Sequence, residues 1–326
     1  MSSNFPADPN NPYAGSSGTP FPEFRLPQYY IGPTRREWLV SALLFVATFI
    51  STTFAGVLYT RDVGFFSLFF YALVRPGILL YGLPFSFTFI IILLAHELGH
   101  FFACRYYGIR CTPPYFLPLP ITFAGTLGAF IRIKSPFQHK RALFDVGVAG
   151  PLAGFIFVIP ALFIGIAHSN LIAKGSVAGG YSFGEPLIFR LVGKLVLGYA
   201  PDHQDMEAHP IAMAAWFGLL ATALNLLPIW QLDGGHISYA MLGRKLQRRL
   251  SVAGSIALIA LSFLGWPIPS YLVFGVLLLV FGMRVGFFHP ATLSDDEELG
   301  PARVFVGLIA LLILILSFTP VPVSIT

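Results

Sequence analysis

Three ionisable residues within one helical turn could form the core of a metal site. His96 and His100 are four positions apart in His96-Glu-Leu-Gly-His100, so on a helix both imidazoles face the same side, as two zinc-binding histidines must. Glu97 is offset from them, where its carboxylate can hold a metal-bound water without being a ligand. The surrounding run, Phe85 to Ala103, is apolar enough to cross a bilayer. Because burying three ionisable groups there is costly without a function, the motif favours a zinc site over a chance match.

A catalytic zinc usually has three protein ligands and one open position, so a third ligand is needed. Asp233 is the predicted one, because Pro228 and the two glycines after Asp233 should break the helix and present its carboxylate. His236 is the alternative ligand, and otherwise a structural residue or a partner of a ligand. Asp145, a further acid in an apolar context, is interpreted as a helix cap.

This set of residues predicts peptide hydrolysis with one zinc ion per chain. Zinc lowers the pKa of its bound water, Glu97 takes the proton, and hydroxide attacks a polarised carbonyl. Glu97 can then protonate the leaving nitrogen. Asn225 could donate a hydrogen bond to the developing oxyanion, with a purely structural role in the helix bundle as an equal alternative.

The composition places this chemistry in a membrane. Of 326 residues, 56% are hydrophobic and 11% are charged, with a mean hydropathy of +0.74, whereas soluble domains carry about 25% charged residues. Basic loops of a membrane protein explain the net charge of +5 better than nucleic-acid binding, which has no support. Cys104 and Cys111 are too few for a disulfide framework and are expected to be reduced thiols.

We predict an all-α polytopic membrane protein with about six transmembrane helices, an interfacial or re-entrant segment and a small membrane-associated β hairpin or sheet. The segment at 64–84 is interrupted by Arg75-Pro-Gly, and a full span is its alternative. The hairpin falls within 112–136, where prolines precede an alternating stretch. Its free edge could add an extended substrate as another strand, or the hairpin could be purely structural.

The chain divides into four predicted regions. They are a disordered N-terminal tail (1–34), a first transmembrane helix with the interfacial segment (35–84), a catalytic transmembrane core (85–240) and C-terminal transmembrane helices (241–326). Within the core we expect spans at about 85–107, 144–168 and 209–228.

Charge then orients the chain. With the N-terminus in the cytosol, fifteen of the 20 Lys and Arg residues fall on the cytosolic side, as the positive-inside rule requires. The end of the HExxH helix and Asp233 then lie on that same side. The sequence suggests a prokaryotic plasma (inner) membrane, with a plastid membrane left open.

At these residues the chain resembles the site-2 protease family of intramembrane zinc metalloproteases. The resemblance covers about 85–240 and is carried by His96-Glu-Leu-Gly-His100, the strand 125–134, Ala149-Gly-Pro151, and Asn225-Leu-Leu-Pro228 with Leu232-Asp-Gly-Gly235. It implies three core transmembrane helices, a zinc held by two His and one Asp, and cleavage of a single-span membrane-protein substrate within the bilayer. Trp230 stands where such sequences often have a proline.

Two other functions share parts of this pattern. A membrane-embedded zinc protease could act on juxtamembrane or soluble peptides with the same chemistry. A zinc transporter or metal-binding membrane protein would need ligands spread along a permeation path, whereas the polar residues here cluster at one end of two helices. The substrate and the oligomeric state are left open.

Overall fold

The computed structural model describes residues 32–61, 64–176, 180–287, 292–294 and 298–325. The predicted disordered tail therefore lies outside the described residues except for positions 32–34. Thr34 caps the first described helix. Its hydroxyl accepts a hydrogen bond from the Glu37 amide, and the Glu37 carboxylate accepts one from the Thr34 amide.

Helices make up most of the described chain. They are α1 (Arg35–Val57), α2 (Phe65–Val74), α3 (Leu83–Tyr106), α4 (Lys140–Ala167), α5 (Leu187–Leu197), α6 (Pro210–Leu226), α7 (Asp233–Ser262), α8 (Leu272–Val285) and α9 (Pro301–Ser317). Short 3-10 helices occupy Pro76–Gly82 and Phe263–Gly265. The first of them continues directly into α3, so residues 64–84 form α2 and a short lead-in to α3.

In the described residues, six short strands form three two-stranded antiparallel sheets. The strands are β1 (Tyr115–Pro118), β2 (Thr126–Phe130), β3 (Asn170–Ala173), β4 (Tyr181–Phe183), β5 (Gln204–Glu207) and β6 (Val323–Ile325), paired as β1–β2, β3–β5 and β4–β6. The β1–β2 pair is the small hairpin predicted at 112–136, with Tyr115 opposite Phe130.

Four segments of the described chain are long and apolar enough to cross a membrane. They are Arg35–Val57, Pro76–Tyr106, Lys140–Ala167 and Asp233–Gly265, and α6, α8 and α9 are shorter apolar helices. The structure therefore agrees with a mostly helical membrane protein with small sheets. It does not confirm about six transmembrane helices, because length alone qualifies only four of the described segments.

Helix α4 lies at the centre of the core and packs against α3, α6 and α7. It approaches α3 closely at Gly99, which has no side chain. A Cβ there would lie only 2.4 Å from the carbonyl oxygen of Ala149. The cap of α4 is His139, whose Nδ1 accepts a hydrogen bond from the Ala142 amide. The cap predicted at Asp145 is therefore wrong. Asp145 lies inside α4 and pairs with Arg303 of α9 at 2.7 Å.

The helix break predicted around residues 225–236 has different limits in the structure. The break spans residues 227–232, and the glycines after Asp233 belong to the first turn of α7, so their predicted role as helix breakers is wrong. The interruption of α7 is Gly243, with φ 77° and ψ 168°. Ser251 then contacts the backbone of Trp230, so the second half of α7 runs back toward the break.

Candidate active site

The three predicted ligands come together in the structure from two distant helices. Nε2 of His96 lies 3.1 Å from Nε2 of His100, and Asp233 places its two carboxylate oxygens 3.1 and 3.2 Å from these nitrogens. Ligand atoms on a tetrahedral zinc with bonds of about 2.0–2.1 Å are about 3.3 Å apart. The donor types and their separations therefore fit a zinc ion.

The ring of His100 is fixed in the tautomer that a metal ligand needs. Its Nδ1 donates to the carbonyl oxygen of Val146 on α4 at 2.7 Å, which leaves Nε2 with a free lone pair. The other face of the ring lies against Gly150, where a Cβ would be 2.0 Å from Nε2. Helix α4 thus orients a ligand without contributing one.

Glu97 lies beside the three ligands and outside their group. His96, Glu97 and His100 are 6%, 4% and 6% exposed, so the whole motif is buried. The Glu97 carboxylate faces the backbone amide of Ile131, which follows β2. A buried carboxylate next to the metal group and open to the same cavity is placed to exchange a proton with water or substrate.

Asn225 and His236 occupy the sides of the site. Nδ2 of Asn225, in the last turn of α6, is 3.4 Å from Nε2 of His96. His236 packs its ring against Phe137 at 5.8 Å. Among the described residues, the group that could hold a metal contains His96, His100 and Asp233 and does not include His236. The geometry thus favours Asp233 as third ligand over the alternative.

A cavity of about 210 Å³ gives access to this group. Its lining includes the two histidines, Glu97, Asn225 and Asp233, together with residues 129–131 and Ile133, from β2 and the segment after it. In the described part of the chain β2 pairs only with β1, so its second edge has no partner strand. An edge strand and the metal group therefore line the same cavity.

The remaining candidate residues lie away from the metal group. Asp145 pairs with Arg303 and also accepts a hydrogen bond from the Tyr107 hydroxyl, so it is an ion-pair partner. Cys104 and Cys111 are free, buried thiols in contact with each other. Among the described residues, neither belongs to the group that could hold a metal.

The sequence reasoning missed the groups that hold the site from outside. The carbonyl of Val146 could not be recognised, because every residue carries one. Ser251 is a polar residue at the start of the apolar part of α7, which was an available signal. Gln247 lies in the basic stretch 244–249, where a polar side chain gives no such contrast.

The chain is similar to several known proteins. Residues 84–265 match the family model described as peptidase family M50. The chain is 32% identical over 246 residues to "Probable zinc metalloprotease EGY2, chloroplastic" of Arabidopsis thaliana, covering 75% of this chain and 43% of that protein. It is 30% identical over 287 residues to the protein of that name in Oryza sativa subsp. indica, covering 88% and 50%. It is also 30% identical over 248 residues to "Probable zinc metalloprotease EGY1, chloroplastic" of Arabidopsis thaliana, covering 74% and 43%.

The chain thus spans about half the length of these curated relatives, or slightly less. Their names agree with the zinc metalloprotease class and with the zinc predicted from the residues.

The names also overturn one prediction. All of these relatives are described as chloroplastic, which contradicts a prokaryotic plasma membrane and points to a chloroplast membrane. The physical reason for the error is that basic loops orient a chain in a membrane but do not identify the membrane. The matched residues, 84–265, make up more than half of the chain and include every predicted site residue. This chain therefore belongs to peptidase family M50, the site-2 protease family that its motifs resemble.

Proposed function

We propose that this chain is an intramembrane zinc metalloprotease that hydrolyses a peptide bond in or near the transmembrane segment of a membrane-protein substrate. The observation that carries the proposal is the buried group of His96, His100 and Asp233, whose ligand atoms all lie within 4.8 Å of one another. Glu97 opens to the same cavity. This combination of three ligands and one adjacent carboxylate is what a hydrolytic zinc site requires.

Each residue has a distinct role in this proposal. His96, His100 and Asp233 hold the zinc, which when bound supplies a Lewis acid for hydrolysis. Glu97 takes a proton from the attacking water and returns it to the leaving nitrogen. Asn225 points its amide toward the site from α6 and donates to the oxygen of the scissile carbonyl as negative charge develops there.

The unpaired edge of β2 supports an extended substrate. A peptide added alongside β2 would run through the cavity past Glu97, with its backbone hydrogen-bonded to the strand. A transmembrane helix must unwind to bind in this way, because its backbone groups are otherwise bonded within the helix. We therefore propose that substrates carry a locally weak transmembrane helix.

Other features bear on the alternatives and on location. The described residues hold one metal-binding group rather than ligands spread along a path, which favours a protease over a zinc transporter. The chloroplastic relatives support placement of this chain in a chloroplast membrane. We propose the transmembrane cut over a juxtamembrane one because the group lies among segments long and apolar enough to span.

The experiment that tests this function compares wild type with Glu97→Gln. Both chains are reconstituted in vesicles with a single-span test protein whose transmembrane segment contains Gly and Pro. Wild type should cut this protein, and Glu97→Gln should be at least about 100-fold slower, since general acid–base catalysis contributes about 10²–10⁴-fold. The zinc content should be equal in the two chains.

Two outcomes would contradict the proposed function. Cleavage by Glu97→Gln at the wild-type rate would remove Glu97 from the mechanism. Mass spectrometry locates the cut, and cleavage confined to the flanks of the transmembrane segment would favour the juxtamembrane protease instead.

A further inference from the structure

The turn between α6 and α7 is bonded to the two helices at its ends, where the Leu227 amide donates to the Leu224 carbonyl and the Leu232 carbonyl accepts from the His236 amide. It covers residues 227–232, and Trp230 within it has φ 44°, a left-handed conformation that residues with a Cβ rarely adopt. Pro228 and Trp230 lie at positions where backbone groups have no partner inside a helix. At membrane depth such groups need partners supplied by other parts of the protein.

Two fully buried side chains from the second half of α7 supply these partners. The Trp230 amide donates to Oγ of Ser251 at 2.9 Å, and Nε2 of Gln247 donates to the Trp230 carbonyl at 3.3 Å. Gln247 also donates to Ser251 Oγ at 2.9 Å. Both side chains are 0% exposed, so each would be costly without these bonds.

The turn is connected directly to the third metal ligand. The Trp230 carbonyl that Gln247 binds also rests on Gly235, where a Cβ would lie 2.2 Å from that oxygen. Gly235 is in the same first turn of α7 as Asp233. On its other side, the Trp230 ring stacks on Phe281 of α8, with ring centroids 6.0 Å apart and an interplanar angle of 9°. Fixing Trp230 therefore fixes the start of α7.

We propose that Gln247 and Ser251 are positioning residues of the metal centre, which hold the 227–232 turn so that Asp233 meets His96 and His100. The inference rests on the proposed function and deepens it. Both residues act through the backbone of the turn, since each bonds to Trp230. The Ser251 hydroxyl also lies 3.4 Å from the Pro228 carbonyl oxygen. Groups that orient metal ligands in this way change metal affinity rather than stability alone.

The test measures zinc affinity of the full chain in detergent by competition with a chromogenic chelator. Ser251→Ala and Gln247→Leu each remove bonds to the turn, while Ser251→Thr keeps the hydroxyl. Ser255→Ala is the matched control, because Ser255 is also 0% exposed on the same helix. Its hydroxyl bonds to the Ser251 carbonyl at 2.9 Å, within the helix. The unfolding midpoint of the zinc-free chain is recorded for every variant.

Zinc should bind about 10-fold more weakly to Ser251→Ala and Gln247→Leu, in the range found for residues that orient metal ligands. Ser251→Thr and Ser255→Ala should bind zinc as wild type does. A merely structural role would lower the unfolding midpoints of Ser251→Ala and Ser255→Ala alike and leave zinc affinity unchanged, which would overturn the inference. If Ser251→Ala does not fold, Gln247→Leu decides in the same way. A wild-type chain without zinc would instead contradict the proposed metal centre and, with it, this inference.

Discussion

At the scale of single residues, His100 shows how tightly a neighbouring helix controls the site. The Val146 carbonyl accepts its Nδ1–H, and Gly150 gives the ring the space it occupies. Both contacts come from α4, which supplies no ligand itself. The absence of one side chain, at Gly150, is therefore as necessary for the site as the presence of the histidine.

This packing predicts the effect of Gly150→Ala. The added methyl would lie 2.0 Å from Nε2 of His100, so the ring must leave its position or α3 and α4 must separate. We expect a loss of zinc affinity of at least about 10-fold and a destabilisation of about 1–3 kcal/mol, as for other overpacked cores.

The measurement is zinc per purified chain together with the unfolding midpoint. Gly77→Ala is the control, because a Cβ at Gly77 has no neighbouring atom within 4 Å. Equal zinc content in the two variants would show that the close approach of Gly150 does not limit the site.

Residue types and spacing were enough to predict the chemical groups of the site. His96, Glu97 and His100 follow from one helical turn, and Asp233 from a carboxylate beside a helix break. The roles of Val146 and Gly150 could not be predicted in this way, since they exist only once α4 lies against α3. Small residues such as Gly150 are typical of close helix contacts but do not identify the partner helix.

At the scale of elements, α6 positions Asn225 at the site, and its N-terminus is capped by His209. Nδ1 of His209 accepts a hydrogen bond from the Ile211 amide at 3.3 Å, which requires a neutral ring. Burial, and then the nearby His168, hold the pKa of His209 below its ordinary value. The folded state therefore binds this proton less readily than the unfolded state does.

The sign of the resulting pH dependence follows from linkage. The contribution of His209 to stability is complete above the unfolded pKa of about 6.5 and is lost as the pH falls through the lower folded pKa. His209→Asn keeps a cap acceptor without a titrating ring, so its unfolding midpoint should fall less than that of wild type between pH 8 and pH 5.5. Thermal unfolding in detergent checks this, and equal decreases in the two proteins would contradict it.

Some element boundaries could be predicted from the sequence and others could not. The hairpin at 112–136 was predictable because prolines and alternation are local signals. The start of α7 at Asp233 was not, because two glycines favour a break when read locally but here allow the first turn of α7 to lie against the preceding turn. The hydropathy pattern also gives no indication of the interruption of α7 at Gly243.

At the scale of the whole molecule, a buried group of ionisable residues is held among segments long and apolar enough to span a membrane. The segments Pro76–Tyr106 and Asp233–Gly265 each supply ligands, although Asp233 follows His96 by 137 positions. Composition and charge predicted a membrane protein and an orientation. Composition did not identify the membrane, because the physical forces that insert a chain act similarly in different membranes, whereas the names of the relatives point to a chloroplast membrane.

The measurement that tests the central claim most directly is zinc content per chain in purified wild type, Asp233→Ala and His236→Ala. The structure predicts about one zinc in wild type and in His236→Ala, and loss of zinc in Asp233→Ala, since the metal-binding group contains Asp233 and two histidines. Loss of zinc only in His236→Ala would show that His236, and not Asp233, is the third ligand. Wild type without zinc after purification in zinc-replete buffer would contradict the metal centre itself.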